Sequence, residues 1–295
     1  MTRRTLGAVL VVITAVLGSL GIGAAPRVAA RSPMDRPAAI TDPELREDIA
    51  RALTRRVDGR RDPLVSVEVL TTDNASVGRA VNRLGGTVTG SVDGQLVQAL
   101  MPAGTVDGLA VVDAAEYVQQ PLRVNRPPRH ETIGFGTVVG DEVQLTNAGL
   151  WHQAGITGNV RVGIIDFFDL RFWNPSEVGP VPDAAHQFCP DLTQGLCTAG
   201  QINSLMGDRH GVAVAEVLKD MAPGAELFLA TTATTAETQA AIDWFVQNGV
   251  YIVTRSLGAP YDGPGDGTGP LDAVVDYAGA RSITWFNSGG NDAQS

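Results

Sequence analysis

Apolar and polar residues alternate over LVSVEVL, residues 64–70, and that period of two predicts a half-buried strand. Val77, Val81 and Leu84 then recur at helical spacing, so 75–84 is predicted helical and ends at Gly85-Gly86. GTVTGSV and QLVQALM follow as two strands around Asp93-Gly94, a dipeptide that suits a tight hairpin. A short helix over 106–112 precedes a last strand, EYVQQ. The order strand, helix, strand, strand, helix, strand is the split β-α-β, ferredoxin-like pattern. Upstream, Leu45, Ile49 and Leu53 recur every four residues and predict a small amphipathic helix over 43–56. A Pro- and Arg-rich stretch, 121–130, reads as a linker.

From Val160 the rhythm changes. VRVGIID is β-branched and strand-like, and a helix-like run follows from His210 to Lys219. AELFLAT (225–231), VYIVTRS (250–256) and ITWF (283–286) read as strands. Between them, 237–247 and 271–278 carry one apolar face at helical spacing, with Ile242, Phe245 and Val246 on the first. Strands alternating with helices predict right-handed crossovers and a parallel sheet covered on both faces. In such sheets, sites lie just beyond the carboxyl ends of the strands.

Charge and composition narrow the picture. The chain of 295 residues carries a net charge of −10, and its composition is ordinary for a globular protein. Residues 31–140 are nearly balanced, with thirteen arginines against fourteen acids. Residues 141–295 hold six basic residues against eighteen acids. An acidic body repels phosphate backbones, which argues against nucleic acid and anionic membrane surfaces as partners.

The N-terminus reads as a secretion signal. Arg3 and Arg4 open it, an apolar run extends from Leu6 to Ile22, and Val28-Ala29-Ala30 offers a cleavage site after Ala30. An exported, extracellular protein without stable membrane association after cleavage is expected. Cys189 and Cys197, eight apart, are then expected to pair as a disulfide, because export favours oxidation and no zinc-ligand spacing is present.

Three strand ends carry candidate chemistry. Asp166 ends VRVGIID, where a carboxylate can orient an imidazole and stabilise its cation. His210 opens HGVAVAEVLKDM beside Gly211 and can act as a general base toward a hydroxyl. Asn291 lies in NSGGND after ITWF, where a side-chain amide can donate to a developing oxyanion. Ser256, Leu257 and Gly258 follow another strand and could offer a backbone edge to an extended peptide. Taken singly, each is an ordinary cap, turn or strand exit. His130, His152 and His186 read as structural or exposed.

The set resembles the subtilisin-like serine peptidases, the subtilases. IID at 164–166, HGVAVA at 210–215, APGA at 222–225, SLG at 256–258 and SGGND at 288–292 stand in the family's order, over roughly residues 140–295. The resemblance implies that Asp166 orients, His210 is the base, and Asn291 is the oxyanion donor, with Ser256 and Gly258 bordering the substrate. It also implies that the small domain is a propeptide, a folding aid and inhibitor later cut off.

The sequence departs from the pattern in places. Phe167-Phe168-Asp169 follows Asp166 where the family has a small residue, so Asp169 is a rival carboxylate. Val212 replaces the usual Thr after His-Gly. An acidic, Pro-rich insertion spans about 173–207 and carries both cysteines. The Gly-Thr-Ser segment that holds the family's nucleophile does not occur.

The expected organisation is therefore a signal peptide (1–30), a polar leader (31–63), a propeptide-like α+β domain (64–125), a linker (126–145) and a subtilisin-like domain (146–295). The expected fold class is α/β: an incomplete doubly wound parallel sheet behind a ferredoxin-like domain. The expected activity is peptide-bond hydrolysis through a Ser/His/Asp triad whose serine lies beyond Ser295, the 295 residues alone being inactive. A peptide or protein substrate and the chain's own propeptide are the expected partners, with no cofactor and no metal. The alternative is a catalytically inactive, peptide-binding pseudoenzyme. A lipase-type Gly-x-Ser-x-Gly is not present, and GPGDGTG (263–269) fails the dinucleotide spacing.

Overall fold

The structure, a computed structural model, describes residues 40–55, 62–124, 139–190, 197–198, 200–202, 208–258, 264 and 266–289. All of these lie within one compact unit, Pro37–Ser295. The expected secretion signal, His130 and Asn291 fall outside the described residues.

The first half is an α+β layer. Its elements are β1 (Ile40–Thr41), α1 (Pro43–Thr54), β2 (Leu64–Leu70), α2 (Asn74–Arg83), β3 (Thr87–Val92), β4 (Leu96–Pro102), α3 (Asp107–Ala110) and β5 (Tyr117–Gln119). The strand order is β1-β5-β2-β4-β3. β2 pairs antiparallel with β4 and β5, and β3 pairs antiparallel with β4. Val67, Val69, Val97, Ala99 and Val118 meet Leu45 of α1, Val77 and Val81 of α2 and Leu109 of α3 in one buried core. Burying each such side chain stabilises the layer by about 1.5–3 kcal/mol. The short helix expected over 106–112 is confined to α3, and a 3-10 turn, Ala103–Thr105, precedes it.

The second half is a parallel sheet with its helices. It comprises α4 (Asp141–Leu145), α5 (Ala148–Gln153), β6 (Arg161–Ile165), α6 (Pro175–Val178), β7 (Gln187–Phe188), β8 (Cys197–Thr198), β9 (Gln201–Ile202), α7 (His210–Met221), β10 (Glu226–Ala230), α8 (Thr235–Gln247), β11 (Ile252–Arg255), α9 (Pro270–Gly279) and β12 (Thr284–Asn287). The five-stranded sheet has the order β12-β11-β6-β10-β7, and every pair in it is parallel. The chain enters at β6, passes to β7 at the far edge, returns to β10 beside β6, then crosses back over β6 to β11 and β12. Strand order therefore reverses at β6, the arrangement that opens a crevice at the carboxyl ends of the strands.

β6 and β10 are buried at every position after their first residue. That explains their continuous apolar runs, which differ from the alternation of a one-sided sheet. The two halves meet where β3 and β4 pack against α8. Gln98, on the face of β4 opposite Val97 and Ala99, is buried there. QLVQALM therefore reads as nearly unbroken apolar sequence because both faces of β4 are covered.

The structure changes one reading of the insertion. A stretch read as an inserted loop contributes β7 to the edge of the main sheet, beside β10. Two residues are too short a run for hydrophobic periodicity to reveal a strand.

Candidate active site

Asp166 follows β6 directly, and its backbone N–H donates to the Ala230 carbonyl at 3.0 Å, continuing the ladder with β10. The Thr231 hydroxyl donates to the Asp166 carbonyl at 2.9 Å. These bonds fix the backbone, so the carboxylate is aimed by the end of the sheet. It is wholly buried and accepts the Phe167 N–H at 2.7 Å.

His210 opens α7, and Nδ1 lies 2.9 Å from both carboxylate oxygens of Asp166. An ionised carboxylate only accepts, so Nδ1 carries the proton and Nε2 is left to exchange one. The hydrogen bond it donates to Asp166 holds the His210 imidazole above its ordinary pKa, against burial. Burial pushes the Asp166 carboxyl up, opposed by its bonds from His210 and Phe167. The His210 ring is about one-third exposed while Asp166 is sealed beneath it. The result is a base open to solvent on one side and oriented from the other.

Asp169, the rival carboxylate, is also buried, but it pairs with Arg171 through Nη2 at 2.5 Å and Nε at 2.8 Å. The structure thus brings Asp166 to His210 and turns Asp169 to a guanidinium.

The segment after β11 lies at the same end. Arg255 pairs in register with Ile165, which sets Ser256 level with Asp166 across the sheet. Ser256 and Gly258 are partly exposed. Leu257 turns its side chain into the core, and its carbonyl accepts from Arg255 Nη1 at 3.0 Å. An apolar residue between two small ones at a strand exit has a core site within reach, and burial decides its orientation.

Three features were not singled out by the sequence. Asp208 is buried and its carboxylate accepts the His210 N–H at 3.1 Å, steadying the start of α7. Buried Arg255 also donates to Asn287 Oδ1 at 3.2 Å, tying the exit of β11 to that of β12. A basic residue inside an apolar strand, in an acidic region, was the available signal. Beyond β10, Thr234 bridges antiparallel to Arg123, and Val124 N–H donates to the Ala233 carbonyl at 3.0 Å. The chain leaving β5 therefore runs as an added strand along Ala233–Thr234, a partnership that only tertiary structure creates.

The cysteines are joined: Cys189 and Cys197 form a disulfide with a Cα–Cα distance of 5.7 Å. His152 Nε2 lies 3.0 Å from the Met221 carbonyl, a structural contact at the end of α7. Among the described residues, no three His, Cys, Asp or Glu converge to hold a metal ion, and no helix is long and apolar enough to cross a membrane.

Comparison with solved structures adds a likeness of fold. The epidermin leader peptide processing serine protease (EpiP) of Staphylococcus aureus superposes with a TM-score of 0.53, at 15% identity, over 78% of this chain and 61% of its own. A mutant of the same protease gives 0.55, at 15% identity, over 78% and 62%. The fold is similar to that of a serine protease. This chain spans about three fifths of the length of those proteases. No protein-family model and no curated protein matches it.

Proposed function

We propose that this chain is the front part of a secreted, subtilisin-like serine endopeptidase, with Asp166 and His210 as two members of its catalytic triad. The observation that carries this reading is the His210–Asp166 pair at 2.9 Å, set at the carboxyl ends of a parallel sheet. The likeness of the fold to a serine protease supports it. Right-handed crossovers around the strand order β12-β11-β6-β10-β7 would give the doubly wound form of that family.

In this mechanism His210 Nε2 takes the proton of a serine hydroxyl as oxygen attacks the scissile carbonyl. Asp166 keeps Nδ1 protonated and stabilises the imidazolium. The proton then passes to the leaving amine, and water releases the acyl group by the same route. Asn291 donates to the oxyanion. The serine comes from sequence following Ser295. Ser256 and Gly258 form one edge for an extended peptide, and Ala233–Thr234 the opposite one. The α+β layer acts as a propeptide, its exit strand Arg123–Val124 lying on the edge a substrate would use.

The test is labelling of the complete natural product by a fluorophosphonate probe. Labelling that disappears in His210→Ala supports the triad. A complete product that takes no label would put the peptide-binding pseudoenzyme in place of the peptidase.

A further inference from the structure

His186 ends a 3-10 turn, Ala184–His186, immediately before β7. Its Nδ1 lies 2.6 Å from Asp183 Oδ1, and its Nε2 lies 3.0 Å from Glu226 Oε1 at the start of β10. The other oxygen of Glu226 accepts from Arg161 Nε on β6 at 2.8 Å. The ring packs on Phe228 of β10, with centroids 4.5 Å apart.

This geometry dictates a protonation state. Both carboxylates only accept when ionised, so both ring nitrogens must donate. A neutral imidazole has one N–H and would turn a lone pair toward one of the two carboxylates. Only the imidazolium satisfies both. Lys219 of α7 lines the same groove as Asp183, His186 and Glu226, but its ammonium is committed to the Pro223 and Ala225 carbonyls at 2.7 and 2.8 Å. Among the described residues, the charged groups around His186 are thus two carboxylates in contact, Arg161 shared through Glu226, and Lys219 across the groove.

We propose that His186 is a protonation-dependent clamp, which as an imidazolium fastens residues 183–188 to β10 and β6 and weakens that hold when it loses a proton. This inference does not depend on the peptidase reading. The clamp nonetheless sits next to the strand that borders the site. Phe188 of β7 accepts the Thr231 N–H at 2.9 Å, and the Thr231 hydroxyl holds the Asp166 carbonyl. A weaker hold on β7 therefore loosens the neighbour of the Asp166 backbone.

The hydrogen bond to Asp183, and then that to Glu226, raise the His186 pKa above its ordinary value. Its hydrogen bonds lower both carboxyl groups in turn. The contribution of His186 is therefore complete below the ordinary histidine range and lost as pH rises through the folded value. On the acid side it is lost as pH falls through the lowered carboxyl values. The clamp holds between those limits.

The experiment follows the His186 ring by NMR in the full 295-residue chain, with amide exchange at Thr231 measured on the same samples across pH. His186→Gln assigns the signal. The expected midpoint lies above the ordinary histidine range, and Glu226→Gln and Asp183→Asn each bring it down. Thr231 exchange, corrected for its intrinsic pH dependence, should quicken about tenfold through that midpoint, the size of one charge-assisted hydrogen bond. In His186→Gln it should be fast throughout. The two carboxyl variants keep the imidazole in place, so a poorly folded His186→Gln leaves the titration decisive. A midpoint at or below the ordinary range, or Thr231 exchange that ignores it, overturns the clamp.

Discussion

Gly211 donates its backbone N–H to the Phe167 carbonyl at 3.0 Å, so the residue after His210 is tied directly to the residue after Asp166. The pair is thus held by backbone as well as by side chains. A Cβ on Gly211 would stand 2.6 Å from the Phe168 ring and 2.8 Å from the Phe167 oxygen. Phe168 is fully buried and the oxygen is main chain, so neither can yield cheaply. Gly211→Ala is expected to cost about 1–3 kcal/mol as overpacking. Urea denaturation should show a lower midpoint with an unchanged slope. Unaltered stability would mean that α7 is not seated as described.

Asp166→Asn should lower the titration midpoint of His210. In the folded chain the Asp166 hydrogen bond raises the His210 pKa, and burial raises that of Asp166. Both groups then bind protons more tightly folded than unfolded, so the pair's contribution falls as pH rises through the folded His210 value. Asparagine keeps an acceptor for Nδ1 and removes the charge. The variant should therefore show a shallower decline of stability than the parent over that range. NMR titration of the imidazole and denaturation at several pH values check both statements, and an unmoved His210 midpoint would contradict the pairing.

These two predictions rest on residues legible in the sequence. A carboxylate after a β-branched run and a His-Gly opening a helix carry local signals, and the strands at 64–70, 161–165 and 226–230 follow from continuous or alternating apolar runs. The parts that were not legible depend on contacts between segments distant in sequence. Asp208 acquires its role from the way α7 begins, and Ala233–Thr234 becomes a strand edge only when Arg123–Val124 arrives. The burial of the Leu257 side chain was not legible either, because pattern reports polarity and not which way a strand exit turns. β7 was missed because two residues carry no period, although its place beside β10 is fixed by the clamp and the ladder.

The Cys189–Cys197 disulfide closes a loop with a sequence separation of 8. Chain-entropy arguments give a cross-link of that span about 2.5 kcal/mol. Both cysteines are buried, so alanine is the appropriate replacement, since serine would add a buried hydroxyl. The double variant Cys189→Ala, Cys197→Ala should lose about that amount in denaturation, and a reductant should do the same to the parent and nothing to the variant. The His210 midpoint should not move, because neither cysteine touches the pair. Equal stability of parent and variant would show that this bridge does not constrain the unfolded chain.

Thr234 joins the two halves of the molecule through one hydroxyl. It accepts the Glu237 N–H as the N-cap of α8, in a capping box with the Glu237 side chain. The same hydroxyl donates to Gln98 Oε1 of β4 at 2.7 Å, and both residues are buried. Thr234→Ala should lose the cap, costing about 0.5–2 kcal/mol. It should also strand the Gln98 acceptor, costing about 1–3 kcal/mol more. Thr234→Ser keeps the hydroxyl and should recover most of both. If the bond to Gln98 couples the halves, a double-mutant cycle with Gln98→Ala should return an interaction of about 0.5–3 kcal/mol. Strict additivity would show that the α+β layer and α8 are held together by apolar packing alone.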